Sequence, residues 1–128
     1  MNGIIEIQLG GQLRTIRFNN YAKAELGNIY GLDPLEAGQK LGERMQDNYV
    51  RAIADLVYAG LTGAYYAKGH DRDFTRADVA EWVAEAADTD MAKVFTTWID
   101  ATGIRQIIKQ QQQPDADTGK KKRRGPKS

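Results

Sequence analysis

The sequence predicts an α+β fold, mainly helical, in which an N-terminal β-hairpin packs on a bundle of four to five helices. Two short runs of alternating apolar and polar residues open the chain and meet at a Gly-Gly pair. From position 20 onward, apolar residues recur at helical spacing, and residues that favour helix starts precede several of these segments. Strands followed by helices indicate segregated α+β architecture rather than parallel βαβ units.

The predicted hairpin covers residues 4–18. The runs "IIEIQL" and "QLRTIRF" flank Gly10-Gly11, a pair that supplies the positive φ angles of a tight primed turn. With a two-residue loop, Leu9 lies opposite Gln12. An isolated hairpin is marginal in water, so helices must cover its apolar face. The side chains on that face are Ile5, Ile7, Ile16 and Phe18.

The helix boundaries follow from caps, glycines and prolines. The first helix ends near Gly27, since glycine is common just after a helix C-terminus. Asp33 is a good N-cap for the second helix and Pro34 suits its first position. Gly42 marks the end of that helix or a bend. The predicted helices cover approximately residues 20–27, 34–41, 43–68, 76–87 and 90–111.

The long central helix, residues 43–68, carries one apolar stripe. Gly60 and Gly63 lie inside it and indicate either close packing against another backbone or a kink. The stripe comprises Met45, Tyr49, Ile53, Leu56, Val57, Leu61 and Ala64.

The last two helices are separated from the central one by a polar turn. Thr75 and Asp78 form a capping box that opens the fourth helix, and Pro114 ends any helix that precedes it. Gly103 interrupts the stripe of the fifth helix. The apolar stripes are Val79, Trp82, Val83 and Ala86 in the fourth helix, and Met91, Val94, Phe95, Trp98, Ala101, Ile104 and Ile108 in the fifth.

The composition indicates one domain over residues 1–112 and a disordered basic tail over residues 113–128, which lacks apolar residues. Cysteine is absent, which excludes disulfides and thiolate metal sites and suits a reducing cytoplasm. No apolar run approaches the roughly 20 residues that cross a bilayer, so no membrane partner is expected. Residues 1–119 contain 12 basic and 17 acidic residues, a net charge of −5. The tail adds Lys120, Lys121, Lys122, Arg123, Arg124 and Lys127.

The residues that could perform catalysis do not form a recognisable constellation. His70 is the only histidine and lies in a polar turn, where we expect it to be solvated. Two D-x-D segments begin like calcium loops but lack the sixth-position glycine and the twelfth-position glutamate. No phosphate-binding glycine loop is present, and no Ser/His/Asp set supports a nucleophile. We therefore expect a protein that is not an enzyme and that has no cofactor or metal.

Four stretches carry a resemblance to a known family. They are "GGQLRTIRFNNYAKAELGNIYG", "DPLEAGQKLG", "RAIADLVYAGLTGAYYAKG" and "FTRADVAEWV". Their order over roughly residues 1–110 resembles the tail assembly chaperones of long-tailed bacteriophages, related prophages and gene transfer agents. In the last stretch Ala77-Asp78 replaces the family's usual acidic pair. The family's recurrent alanine-rich helix is matched by Ala52, Leu56, Val57, Tyr58, Ala59, Gly60 and Leu61.

The resemblance implies a non-catalytic assembly factor in the cytoplasm of a bacterial host. Such a protein coats the helical tape-measure protein, helps to recruit tail-tube subunits, and is absent from the mature virion. Self-association is compatible with this role. An apolar helix and its successor present a groove for a partner helix. The residues expected to contact the partner are Tyr58, Leu61, Tyr65, Trp82 and Trp98.

The tail admits further interpretations. Many such families make a second, longer product by ribosomal frameshifting, and "GKKK" at residues 119–122 can be encoded by a slippery heptamer. The alternative function is a small nucleic-acid-binding or regulatory protein acting through Lys120, Lys121, Lys122, Arg123 and Arg124, with weak, salt-dependent phosphate contacts. A third hypothesis is a head–tail connector or other minor virion component.

Overall fold

A computed structural model describes residues 3–102 and confirms the predicted fold class, a two-stranded antiparallel hairpin packed on five helices. In chain order the elements are β1 (Ile4–Leu9), β2 (Gln12–Arg17), α1 (Asn20–Tyr30), α2 (Pro34–Asp47), α3 (Tyr49–Ala67), α4 (Arg76–Glu85) and α5 (Asp88–Thr102).

The hairpin has the predicted register. Leu9 pairs with Gln12 and Ile5 with Ile16, and both loop glycines have positive φ. Every second residue therefore points toward the helices. One residue on this inner face is charged, because Arg14 lies there with 7% of its surface exposed. The buried apolar residues of the inner face are Ile7, Leu9, Ile16 and Phe18, while Ile5 is half-buried.

The predicted end of α1 at Gly27 is wrong. The helix continues to Tyr30 and ends at Gly31, which has a φ of 68° and the left-handed conformation that glycine favours. Gly27 is instead a point of close approach. The chain folds back over it, so that the backbone N–H of Leu32 donates to the Gly27 carbonyl at 3.0 Å. A Cβ on Gly27 would lie 2.7 Å from the Leu32 carbonyl oxygen.

The predicted boundary at Gly42 is also wrong. Helix α2 passes through Gly42 and ends at Asp47, and Asn48 alone separates it from α3. The Asn48 side chain accepts a hydrogen bond from the backbone N–H of Arg51 at 3.2 Å and so caps α3. The predicted helix over 43–68 is therefore the end of α2 followed by α3.

Helix α3 is the centre of the core. It is buried on nearly all sides, including all residues from Asp55 to Ala64. The hairpin crosses it at Gly60 and Gly63, where a Cβ would meet Ile16 and the carbonyl oxygen of Arg17, respectively. These contacts confirm close packing rather than a kink as the reason for the two glycines.

Helices α4 and α5 complete the core. Thr75 and Asp78 form the predicted capping box, with both reciprocal hydrogen bonds present. Helix α4 ends at Glu85, two residues before the predicted end, and α5 begins at Asp88, two residues earlier than predicted. The buried apolar residues of these helices are Val79, Val83, Met91, Val94 and Trp98.

Several predictions concern parts of the chain that the structure does not describe. These are the continuation of the last helix to residue 111 with Gly103, Ile104 and Ile108, the stop at Pro114, and the disordered tail over 113–128. Within residues 3–102, no helix is both long and apolar enough to span a membrane.

Candidate functional site

The residues predicted to contact a partner lie mainly inside the molecule. Leu61 is fully buried, and Tyr58 and Trp98 are only 8% and 5% exposed. Tyr65 and Trp82 are half-buried. The apolar seam along α3 is thus closed by the hairpin and the neighbouring helices. A partner that meets this conformation cannot reach Leu61, because no part of that side chain is at the surface.

Tyr65 and Trp82 are brought together by Arg14, a residue that the sequence did not single out. The Arg14 Nη1 donates to the Tyr65 hydroxyl at 3.0 Å and to the Asp73 carboxylate at 3.3 Å. The guanidinium carbon lies 4.4 Å from the centroid of the Trp82 ring, within cation–π distance. These four residues, the Arg14 cluster, join the hairpin to α3, α4 and the loop between them.

The Arg14 cluster shifts the titration of two of its members. Burial and a hydrogen bond to Asp73 raise the pKa of the Tyr65 hydroxyl. The hydrogen bond from Tyr65 and the charge of Arg14 lower the pKa of the Asp73 carboxyl. Phe74 packs edge-on against the rings of Tyr65 and Tyr58, at centroid distances of 5.3 and 5.6 Å. The Tyr65 side chain is therefore fixed at its hydroxyl by hydrogen bonds and at its ring by aromatic packing.

A second polar cluster surrounds Asp55, which is 8% exposed within the apolar helix α3. One carboxylate oxygen accepts from the Tyr30 hydroxyl at 2.9 Å and lies 3.9 Å from Arg44 Nε. The other accepts from Arg76 Nη2 at 2.9 Å. Burial and the hydrogen bond to Asp55 raise the pKa of Tyr30. This Asp55 cluster connects α1, α2 and α4 to α3. In the sequence, the feature that could have indicated it is a lone carboxylate among apolar residues.

A third contact involves Arg72, in the loop before α4. It pairs with Glu25 at 3.3 Å and lies over the rings of Tyr58 and Tyr66, at 5.2 and 5.7 Å from their centroids. Tyr66 in turn meets Tyr21 edge-on at 5.8 Å. Tyr66 is half-buried like Tyr65, so neither tyrosine is fully buried in the seam.

The surface carries large apolar side chains that are not among the residues predicted to contact a partner. Leu32 and Leu35 lie close in sequence at the turn from α1 into α2, and Tyr49 and Val50 open α3. Tyr49 belongs to the predicted stripe but is 44% exposed, because α3 begins only there. The exposed large apolar residues are Leu13 (57%), Tyr21 (53%), Leu32 (39%), Leu35 (57%), Tyr49 (44%) and Val50 (52%).

Open clefts on the surface of residues 3–102 include the following two. The α3–α4 groove has a volume of about 410 Å³ and is lined by one face of the first half of α3 and one face of α4. The second cleft, of about 290 Å³, lies between β2 and the C-terminal end of α3, and His70 lines it. His70 is exposed, and within residues 3–102 no group of three or more His, Asp and Glu residues could hold a metal ion.

The arrangement is therefore suited to binding through arginines and exposed apolar side chains. The basic residues Lys120, Lys121, Lys122, Arg123 and Arg124 lie outside the described residues. We find no family model, curated protein or solved structure that matches the chain.

Proposed function

We propose that this protein is a non-catalytic tail assembly chaperone of a long-tailed phage or a related element. It binds the tape-measure protein in the cytoplasm of the bacterial host, keeps it soluble and helps to recruit tail-tube subunits. It leaves before the particle is complete. The order of hairpin and helices, on which the sequence resemblance depends, supports this proposal.

The observation that carries the proposal is the placement of exposed apolar side chains. Isolated exposed leucines are normal on soluble proteins. Here they occur as pairs, Leu32 with Leu35 and Tyr49 with Val50, each at the entrance to a helix. Complete burial of a fully exposed apolar side chain contributes about 1.5–3 kcal/mol. These four are 39–57% exposed, so each has roughly half of that to gain on binding. Two such pairs therefore provide a modest binding affinity, which allows tail-tube subunits to displace this protein later in assembly.

The closed core determines which part of this protein is accessible to a partner. Since the seam along α3 is filled by the protein's own side chains, the partner is held on the outside of a preformed body. Such a body binds without refolding, and its interface changes little between the free and bound states. Many copies along one extended helical partner could then each cover a short length of it.

The test is co-expression with the product of a very long helical reading frame beside this gene. We expect the partner to become soluble and to co-purify with this protein. The double substitution Leu32→Ser and Leu35→Ser should lower the co-purified amount several-fold. Leu13→Ser is the matched control, because Leu13 is as exposed as Leu35 but lies alone on the hairpin.

Three results would contradict the proposal. The first is a wild-type protein that leaves the long helical product insoluble. The second is recovery of this protein from purified particles, which would favour a connector or minor virion component. The third is salt-sensitive DNA binding that disappears on deletion of residues 114–128, which would favour the nucleic-acid-binding alternative.

A further inference from the structure

Three alanines line the α3–α4 groove. On α3 it is lined by Arg51, Ala54, Asp55 and Tyr58, which are spaced at i, i+3, i+4 and i+7 and so share one face. On α4 the lining includes two alanines, Ala77 and Ala80. Alanines on facing walls let the backbone of a third element approach closely.

The groove is continuous with exposed apolar surface. Val50 precedes Ala54 by one helical turn on α3, and half of its surface (52%) is open to solvent. An apolar strip from Val50 through Ala54 to Tyr58 therefore follows the axis of α3. A linear occupant with its own apolar stripe matches this shape better than a compact small molecule.

Most of the backbone along both walls is already satisfied. Each wall is an α-helix, whose interior N–H and C=O groups bond within the helix, while N–H groups of the first turn, such as those of Arg76 and Ala77, lack an intrahelical acceptor. A strand laid in the groove would therefore find few backbone partners, and most of its own polar groups would lose water without replacement. A helix satisfies its own backbone, so a helix is the form of peptide that this groove favours.

The charges of the groove determine the chemistry of the occupant. Among the described residues that line it, the one carboxylate, Asp55, already accepts from Tyr30 and Arg76. Arg51 is exposed and forms no ion pair with any other residue from 3 to 102, and the Arg76 side chain is 55% exposed. The groove thus offers hydrogen-bond donors and positive charge to an occupant. Residues 3–102 contain ten basic and fifteen acidic residues, a net charge of −5, so these two arginines place positive charge on a body that is acidic as a whole.

We propose that the α3–α4 groove binds an amphipathic helix that presents small or medium apolar residues to Ala54, Ala77 and Ala80. Acidic side chains on the flanks of that helix pair with Arg51 and Arg76. The inference rests on the proposed function, since the helix belongs to the partner that the protein keeps soluble. It adds the surface and the residue chemistry by which one segment of that partner is recognised.

Two substitutions test the groove without disturbing the core. Arg51→Glu reverses a charge that has no partner of its own within residues 3–102. Ala80→Glu places a carboxylate on the exposed α4 wall, and glutamate is a good helix former. The matched controls are Lys93→Glu, which makes the same reversal of charge, and Ala24→Glu, the same substitution; both lie at exposed helical positions that do not line the groove. Thermal unfolding should show that all four variants retain the fold.

The measurement is the dissociation constant of the full-length chain for the purified long helical product, at 50 and 300 mM salt. Each groove variant should bind at least tenfold more weakly at low salt, with a smaller loss at high salt, and both controls should match wild type. Wild-type binding with unchanged groove variants would overturn the inference and leave the proposed function standing. A wild-type protein that does not bind would overturn both. Duplex DNA binding that Arg51→Glu abolishes would also overturn the inference, because the groove would then recognise phosphate.

Discussion

At the scale of single residues, the main feature is that two charged side chains organise contacts between elements. Arg14 points inward from β2 on the same face as the buried Ile16, and Asp55 lies inside an apolar helix. A buried charge is tolerated only when it is paired and hydrogen-bonded. Both residues meet this condition with partners that are distant in sequence, so each of them connects separate elements of the fold.

Arg14→Met tests the first of these residues. Methionine keeps an unbranched apolar stem, although it is shorter, and it loses the bonds to Tyr65 and Asp73 and the contact over Trp82. We expect a loss of about 1–3 kcal/mol in the free energy of unfolding, measured by urea denaturation. The control Arg17→Met, on the exposed side of the same strand, should change it by less than about 0.5 kcal/mol. Equal effects would show that Arg14 contributes no more than an exposed residue.

Tyr30 predicts how stability depends on alkaline pH. Its pKa in the folded protein is raised, chiefly by burial and by the bond to Asp55, whereas in the unfolded chain it is about 10. Above pH 10 the unfolded chain therefore releases a proton that the folded chain retains, and stability falls as pH rises. Tyr30→Phe should show a smaller loss of stability between pH 9 and pH 11 than wild type. Identical pH profiles would contradict this assignment.

At the scale of elements, glycines inside helices differ in whether tertiary packing requires them. Gly63 lies where the hairpin meets α3, and a Cβ there would be 2.6 Å from the Asn19 side-chain oxygen and closer still to the Arg17 carbonyl. Gly42 lies inside α2 with open space around it. The same residue type is therefore required at one position and replaceable at the other.

A pair of alanine substitutions tests this distinction. Gly63→Ala should destabilise the protein by about 1–3 kcal/mol or more, because backbone must move to admit the methyl group. Gly42→Ala should instead stabilise it by about 0.5–1 kcal/mol, the gain of alanine over glycine inside a helix. Both values are read from the midpoints of urea unfolding at constant slope. A destabilising Gly42→Ala would show that this position has an unrecognised packing role.

Structural features that depend on residues adjacent in the chain were predicted correctly from the sequence, and features that depend on tertiary contacts were not. The hairpin register and the Thr75–Asp78 capping box were confirmed, because each depends on residues adjacent in the chain. The ends assigned at Gly27 and Gly42 were wrong, since glycine serves as a stop only when its backbone turns left-handed, as it does at Gly31. The sequence alone could not show which element opposes Gly27.

The candidate site was harder to predict than the fold. Helical periodicity identified Leu61 and Trp98 as apolar stripe residues, but periodicity does not show whether a stripe meets the protein's own core or a partner. The Arg14 and Asp55 clusters depend on hydrogen bonds between residues 21 to 59 positions apart in the chain. No local pattern encodes such pairings, so Arg14 was missed, and Asp55 stood out only as a carboxylate among apolar neighbours.

At the scale of the whole molecule, the sequence divides into an acidic body and a basic tail. Within residues 3–102 one hydrophobic core draws on both strands and all five helices, and the six basic residues from 120 onward lie outside the described residues. The two hypotheses about function therefore assign binding to different parts of one chain.

Deletion of residues 114–128 separates these hypotheses. We expect the shortened chain to unfold at the same temperature as wild type and to retain most of its affinity for the long helical partner. A lower melting temperature would mean that the tail packs against the body. A complete loss of partner binding with an unchanged melting temperature would place recognition in the tail rather than on the helices.

The crossing of the hairpin over Gly60 and Gly63 also has a consequence during synthesis. About 45 residues separate Phe18 from Gly63, so the nascent chain exposes its first apolar face long before its cover is made. At about 5–20 residues per second, that interval is roughly 2–9 s. During that interval the apolar face of the hairpin lacks the helix that covers it in the folded protein.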